Sequence, residues 1–213
     1  MSDELHAEHP GGRGDLEAER FWEDHYHRRD RVWSGRPNPV LVDVVGGLRP
    51  GTALDLGCGE GGDAIWLARQ GWRVTAVDVS DTALDRAAAD AATAGVTDRI
   101  DFRRHDLALT FPPGAFDLVS AQYLHSPIEF PRARVLQEAA SALTPGGLLL
   151  IVDHASVGPG SWAEPEQTLA PLDLSPDEWH TERLEARERE TTRPNGQVVS
   201  HTDNVVAVRR LAR

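Results

Sequence analysis

One short segment limits what this chain can fold into more than any other: Asp55-Leu-Gly57-Cys58-Gly59-Glu60-Gly61-Gly62. It follows an apolar stretch, Thr52 to Leu56, and precedes one with helical spacing, Asp63 to Gln70, which stops at Gly71. Glycines at alternate positions let the backbone turn sharply and let a ligand come close to the first amides of a helix. Strand, glycine turn and helix make the opening of a βαβ unit, and the alternation continues downstream. Arg73 to Val79 is a β-branched strand. Ser80-Asp81 is a capping candidate for an alanine-rich helix, Thr82 to Ala94, closed by Gly95. Arg99 to Arg104 and Ala115 to Ala121 are further strands, and Pro131 to Leu143 is a helix ended by Pro145-Gly146-Gly147. Leu148 to Asp153 is apolar up to its final acid, as expected of a strand covered on both faces. Such an alternation predicts an α/β protein with a doubly wound, mostly parallel sheet.

The two ends depart from this grammar. Ser156 to Asp173 is rich in Pro and Gly and reads as loop, and Ser175-Pro-Asp-Glu178 reads as a helix start. Arg183 to Thr192 and Val198 to Leu211 flank Pro194-Asn195-Gly196, a hairpin turn signal, so the sheet is expected to have seven strands and to end in an antiparallel hairpin. At the other end, residues 1–15 are polar and without periodicity, the composition of a disordered tail. Leu16 to Asp30 is amphipathic, with Phe21, Trp22 and Tyr26, the last two at helical i, i+4 spacing. A stiff linker, Trp33-Ser-Gly-Arg-Pro-Asn-Pro39, leads to a short helix, Val40 to Leu48. No repeat or interdomain linker is visible, so residues 16–213 are read as one domain.

Charge and cysteine content narrow the partners. The 34 acidic residues outnumber 22 basic ones, all arginine, for a formal charge of −12, a surface that repels phosphate backbones and anionic lipid. A lone cysteine, Cys58, excludes an internal disulfide and a multi-cysteine metal site. The longest apolar run, Leu148 to Val152, is too short to span a bilayer, and the first residues have no apolar core of a secretory signal. A soluble cytoplasmic protein that acts on a small molecule, as a monomer or weak homodimer, is expected.

The acids around the glycine turn suggest which ligand it cradles. Asp78 ends the second strand, where a carboxylate can accept from both hydroxyls of a ribose. Gly57-x-Gly59-x-x-Gly62 followed by that acid also fits a nicotinamide dinucleotide site, so spacing alone leaves two enzyme classes open. Asp55, two residues before the first glycine, suits a ligand with an ammonium group better than a pyrophosphate. Asp55-x-Gly57-x-Gly59-x-Gly61 with Asp78 and the terminal hairpin resembles the class I S-adenosylmethionine-dependent methyltransferases. The aromatic N-terminal segment with Trp33-Ser-Gly-Arg36-Pro-Asn38-Pro is similar to the small group that contains tellurite-resistance and thiopurine S-methyltransferases. The resemblance implies that Asp55, Gly57, Cys58, Gly59 and Gly61 shape the methionine pocket, that Asp78 with Val79 holds the ribose and Asp106 with Leu107 the adenine, and that Gln122 borders the methionine end. It implies a lid over residues 16–39, with Trp33 and Asn38 on the cofactor and Trp22 and Tyr26 on the acceptor. The competing classes are a nicotinamide oxidoreductase and a cofactor-binding module without turnover.

Methyl transfer needs an aligned acceptor, exclusion of water and, for a protonated acceptor, a place for one proton. Acceptor-side candidates lie where the carboxyl ends of strands meet ligands in such sheets. They are Tyr123 and His125 after the fourth strand, His154 after the fifth, and His201 on the last, with His125 and His154 the candidates for acceptor positioning or a base. No histidine spacing supports a metal site. Thiols, chalcogen oxyanions, N-heterocycles and hydroxyls all remain open as acceptors.

Overall fold

In a computed structural model of the protein, the residues described are 14–158, 161–192 and 198–212. The 1–13 part of the expected tail and the Pro194-Asn195-Gly196 turn lie outside them. Six helices and nine strands follow one another among the described residues. Helices α1 (Gly14–His27) and α2 (Pro39–Val45) precede the core. The core runs β1 (Thr52–Leu56), α3 (Gly62–Arg69), β2 (Arg73–Asp78), α4 (Asp81–Ala94), β3 (Ile100–Arg104), β4 (Phe116–Gln122), α5 (Arg132–Ser141) and β5 (Leu143–His154). Two short strands, β6 (Ser156–Gly158) and β7 (Ser161–Trp162), then α6 (Pro165–Leu169), lead to the long strands β8 (Trp179–Thr192) and β9 (Val198–Arg210).

Seven strands form one sheet in the order β3-β2-β1-β4-β5-β9-β8. The first five are parallel, and β9 runs antiparallel between β5 and β8. The order reverses at β1, between β2 and β4, so the carboxyl ends of these strands open onto a crevice. Alternation along β5 shows why the sheet needs both layers. Leu148, Leu150 and Val152 pack with α2, α3 and Trp72, while Leu149 and Ile151 pack with Val135, Leu136 and Ala139 of α5. All five are fully buried, so a one-residue slip would exchange the two cores. Among the described residues no helix is long and apolar enough to cross a membrane.

Most expected elements form, several with shifted ends. The first helix starts at Gly14 and stops at His27 rather than spanning Leu16 to Asp30. Ser80 caps α4 as expected, its hydroxyl accepting from the Ala83 amide. Three expectations need correction. The helix before β5 ends at Ser141, and Pro145-Gly146-Gly147 lies inside the strand: Leu143 already pairs with Phe116, and a register shift lets Gly146, at φ +85°, bend the strand without ending it. Ser156 to Asp173 is not all loop, because Pro165 starts a helical turn and Leu172 closes over the α5 side of the core. Ser175 to Glu178 starts no helix; the Glu178 and Trp179 amides both close a turn on the Ser175 carbonyl at 3.0 Å, and Trp179 then pairs with Arg210. A strand partner decided that segment where local capping chemistry pointed elsewhere.

Candidate active site

The β1–α3 turn builds one wall of a cavity of about 770 Å³ in the crevice. Gly59 adopts φ +52°, and a Cβ there would come within 3.0 Å of the Tyr26 hydroxyl and 3.2 Å of Trp33 Nε1. Gly61, at φ +79°, leaves no room for a Cβ against Ala87 of α4, at 2.8 Å. The glycine pattern therefore serves two ends: Gly59 admits the N-terminal aromatics to the cavity, and Gly61 lets α3 start tight against α4. The cavity wall includes Asp55, Gly57, Cys58 and Gly59 of the turn, then Asp78, Val79, Asp106, Leu107 and Gln122 from the strand ends. Gly61 is not on that wall.

Carboxylates dominate this side. Asp55 is buried, and its Oδ2 has no hydrogen-bond partner. Burial, then the neighbouring Asp63 and Asp78, holds its carboxyl well above the usual carboxylate range. Asp63, the second residue of α3, is raised to about 6 by burial while its Oδ1 accepts from the Asn38 amide at 2.6 Å. Asp78 is also raised by burial, an effect opposed by the Ser80 and Gly59 amides that donate to it at 3.0 and 2.9 Å. Acids this close disfavour one another's ionisation, so a cation entering among them would relieve both desolvation and repulsion. Two further buried atoms on the wall lack partners, Asn38 Nδ2 and Gln122 Oε1. Asp106 accepts from the Ala108 amide at 2.8 Å, which fixes the turn after β3. Burial and the surrounding acids push the Cys58 thiol well up, so it stays a thiol and serves as packing rather than as a nucleophile.

Residues of the N-terminal segment line another part of the cavity wall. Tyr26 is buried at 4% exposure, Trp33 is 54% exposed, and the Trp33 indole donates to the Tyr26 hydroxyl at 3.1 Å. Both stand on the cavity wall with Trp22 and Asn38. A residue inside the glycine turn holds this segment down. The enclosed Glu60 carboxylate accepts from the Val32 amide, at 3.1 Å, and the Trp33 amide, at 2.8 Å, and pairs with Arg86 at 2.9 Å. Arg86 in turn donates to the Tyr26 and Arg29 carbonyls at 3.2 and 2.8 Å. Glu23 accepts from Ser80 at 2.6 Å and from Thr82, tying α1 to the start of α4. Sequence reasoning passed over Glu60, Asp63 and Arg86. An acid among glycines was a signal for the first; Arg86, on a helix face, gave none.

At the far end of the cavity the charges are paired. Tyr123 leaves β4 at φ +52°, a strained conformation for a residue with a Cβ, and its hydroxyl donates to Asp203 Oδ2 at 2.8 Å, 80 residues away on β9. Arg189 of β8 also donates to Asp203 and stands 5.8 Å from the Tyr123 ring centroid. His154, at the end of β5, stacks on Tyr123 with centroids 4.3 Å apart and points Nδ1 at Asp203 Oδ1, 3.5 Å away. A second pair lies beside it. His125 Nε2 is 3.2 Å from Asp153 Oδ1, and Arg132 reaches both oxygens of Asp153 at 2.6 Å. Hydrogen bonds and the neighbouring cations hold both aspartates below the usual carboxylate range, against desolvation. Burial and Asp203 push the Tyr123 hydroxyl far up, so it remains a donor. Tyr123, His125, His154 and Arg189 are on the cavity wall; His201 is not, and the residue of its strand that reaches the network is Asp203.

With this geometry in hand, comparison with known proteins is informative. Residues 53–147 match a family described as a methyltransferase domain. "Probable thiol methyltransferase 2" of Arabidopsis thaliana is 32% identical over 163 residues, 71% of this chain and 72% of that protein. The 2-heptyl-1-hydroxyquinolin-4(1H)-one methyltransferase of Mycobacteroides abscessus is 32% identical over 146 residues, 63% of each chain. A solved structure concerned with conversion of a disulfide bond into a thioacetal group during echinomycin biosynthesis superposes with a TM-score of 0.71 over 93% of both chains at 24% identity, a likeness of fold.

Proposed function

The chain belongs to the class I S-adenosylmethionine-dependent methyltransferases, and from that premise we propose that its cavity passes the methyl group to a small-molecule acceptor held between Tyr123, His125 and His154. The protein is a methyltransferase with S-adenosylmethionine as its cofactor, which decides between the two cofactor classes that the glycine spacing left open. The residues present fit that cofactor. The unpartnered Asp55 Oδ2 and Gln122 Oε1 would accept from its ammonium group, Asp78 from the ribose hydroxyls, and Asp106 from the adenine amino group. The cofactor supplies a methyl carbon on a sulfonium, open to in-line displacement. Residues 16–39 would act as the lid, with Trp22, Tyr26 and Trp33 excluding water at transfer.

One observation carries the reading: a single cavity is lined at one end by buried acids with no cation beside them and at the other by two histidines that stand against arginine-paired aspartates. A cation belongs at the first end and a proton-bearing or nucleophilic acceptor at the second. The names of the two relatives, one a thiol methyltransferase and one acting on a hydroxyquinolinone, agree with a small acceptor. Calorimetry with S-adenosylhomocysteine and with NAD, followed by turnover of S-adenosylmethionine over a panel of thiols, phenols and N-heterocycles, tests it. Micromolar-range binding of the first ligand and methylation of a panel member are expected. Cofactor binding with no transfer to any member would overturn the small-molecule reading.

A further inference from the structure

The acceptor end contains two histidine–carboxylate pairs, and they are not equivalent. His125 sits on the irregular chain after β4, and its partner Asp153 already takes two contacts from Arg132 and one from Thr168 at 2.9 Å. His154 ends a strand, its ring lies against Tyr123, and its Nδ1 faces an Asp203 oxygen that nothing else claims. Asp203 is itself fixed: 1% exposed, it receives Tyr123 and Arg189 on Oδ2, which leaves Oδ1 for the imidazole. At 3.5 Å the two are in ion-pair contact and no hydrogen bond reaches Asp203 Oδ1, so an Nδ1–H turned to it would satisfy that oxygen and leave the lone pair on Nε2. Stacking on Tyr123 sets the ring plane, and the carboxylate stands where it can meet a charge on the ring.

We propose that His154 is the base that takes the proton of a protic acceptor, a thiol or an aromatic hydroxyl, and that Asp203, Tyr123 and Arg189 are the positioning residues that make it one. This rests on the methyl-transfer reading above and narrows its acceptor. The acceptor's sulfur or oxygen lone pair forms the new bond to the methyl carbon. The carbon–sulfonium bond breaks with its electrons left on the cofactor sulfur, and the acceptor's proton passes to His154 Nε2, so charge and atoms balance. The groups facing His154 are Asp203 from β9, Arg189 from β8, Tyr123 from the turn after β4 and, next in its own strand, Asp153, which is turned to Arg132 and His125. Arg189 is taken up by Asp203, so with His154 neutral this corner carries no net charge: it suits an acid arriving with its proton better than an oxyanion.

The test uses the full chain, wild type and His154→Gln, Asp203→Asn, Tyr123→Phe and His125→Gln, with S-adenosylmethionine and three acceptors: 2-mercaptoethanol, phenol and pyridine. At neutral pH, His154→Gln should lower kcat for the thiol and phenol by about 10²–10³-fold, the range of a lost proton acceptor, without changing the cofactor KM. The deficit should shrink to a few-fold as pH passes the acceptor's own ionisation, which for the alkanethiol lies above the cysteine value of about 8.5 and for the phenol is about 10. Asp203→Asn and the gentler Tyr123→Phe should show the same pH-dependent pattern at about tenfold. His125→Gln should raise acceptor KM more than it lowers kcat. Methylation of pyridine, which has no proton to lose, should be insensitive to His154→Gln. Nitrogen-15 spectra of the imidazoles give a readout without turnover: one tautomer with Nδ1–H in the wild type, and a mixture in Asp203→Asn. A pH-independent deficit, an equal loss with pyridine, the ionisation-dependent deficit appearing in His125→Gln instead, or mixed tautomers in the wild type would each overturn the proposal. Failure to bind S-adenosylhomocysteine would strike at the cofactor fit and leave the spectra to decide the tautomer.

Discussion

The two ends of the cavity use the same residue type in opposite ways. Around the glycine turn, Asp55, Asp63 and Asp78 are crowded together with no arginine among their hydrogen-bond partners, and burial pushes all three upward. At the histidine end, Asp153 and Asp203 are as enclosed, yet each is matched by an arginine and a histidine and stays low. An unpaired buried acid costs free energy until a cation arrives, whereas a paired one has already met that cost within the fold. The first end is built to be completed by its ligand. The second is complete beforehand and acts as a rigid frame for histidines. Ligand binding should therefore alter stability and protonation at the glycine end and leave the hairpin end unchanged.

Asp78 carries the largest expected effect. If its carboxylate takes the ribose, Asp78→Ala removes two charge-assisted hydrogen bonds and costs about 2–4 kcal/mol of cofactor affinity, roughly a hundredfold or more. Calorimetry with S-adenosylhomocysteine checks this, and the fold should survive because Asp78 sits at a strand end on the cavity wall. Unchanged affinity would take Asp78 out of the site and make its acids ordinary wall residues.

The next effect concerns Glu60, which ties the N-terminal segment to the glycine turn. Glu60→Gln keeps an acceptor for the Val32 and Trp33 amides but loses the charge pairing with Arg86. Loss of a charge-assisted contact should loosen residues 31–36 and weaken cofactor binding by about tenfold. Trypsin tests whether the segment acts as a lid: bound cofactor should protect the bond between Arg31 and Val32 in the wild type and less so in Glu60→Gln. Equal cleavage in all four samples would mean that the segment is static packing and that Glu60 has no part in binding.

These two ends were unequally legible in the sequence. The glycine end is local: strand, turn, helix and two acids lie within 27 residues, Thr52 to Asp78, and each signal falls inside one βαβ unit. The histidine end is assembled by the sheet order. Only because β9 inserts between β5 and β8 do Tyr123, His154, Arg189 and Asp203 meet, and no spacing rule connects positions 123 and 203. His201 was the candidate read on the last strand and Asp203 was passed over, although both lie on one face of it; their depth along it, set by the pairing of Arg187 with Asp203, separates them. Glu60 was missed for a different reason. The turn was read for its backbone geometry alone, and the chain whose amides meet the Glu60 carboxylate comes from 27 residues upstream. The turn at Ser175 was misread because a cap is a local signal and the edge strand that overruled it is not.

The smallest expected effect is on the pH dependence of stability. Asp63 keeps its proton up to about 6 in the fold and only to the ordinary value of 3.8 when unfolded. The folded state thus binds more protons between those values, so this group's contribution to stability is fully present below the unfolded value and is lost as pH rises through about 6. Above that pH the ionised carboxylate weakens the fold without ligand by about 1–3 kcal/mol, and the partial exposure of Asp63 on an open cavity wall puts it at the lower end. Asp63→Asn keeps an oxygen for the Asn38 amide and removes the charge. It should raise Tm by a few degrees at pH 7.5 and by less at pH 5, and flatten the fall of wild-type stability between those two values. Asp203→Asn should do the reverse: its carboxyl lies low in the fold, so the substitution destabilises at pH 7.5, and the penalty fades only as acid protonates the native group. Thermal melts of both variants at the two pH values, with and without S-adenosylhomocysteine, separate the ends. Ligand should raise wild-type Tm and narrow the Asp63→Asn advantage, because the cation it brings offsets the repulsion the substitution removes. An Asp63→Asn variant less stable than wild type at pH 7.5 would mean that the crowded acids are already compensated, and the contrast between the two ends would fall.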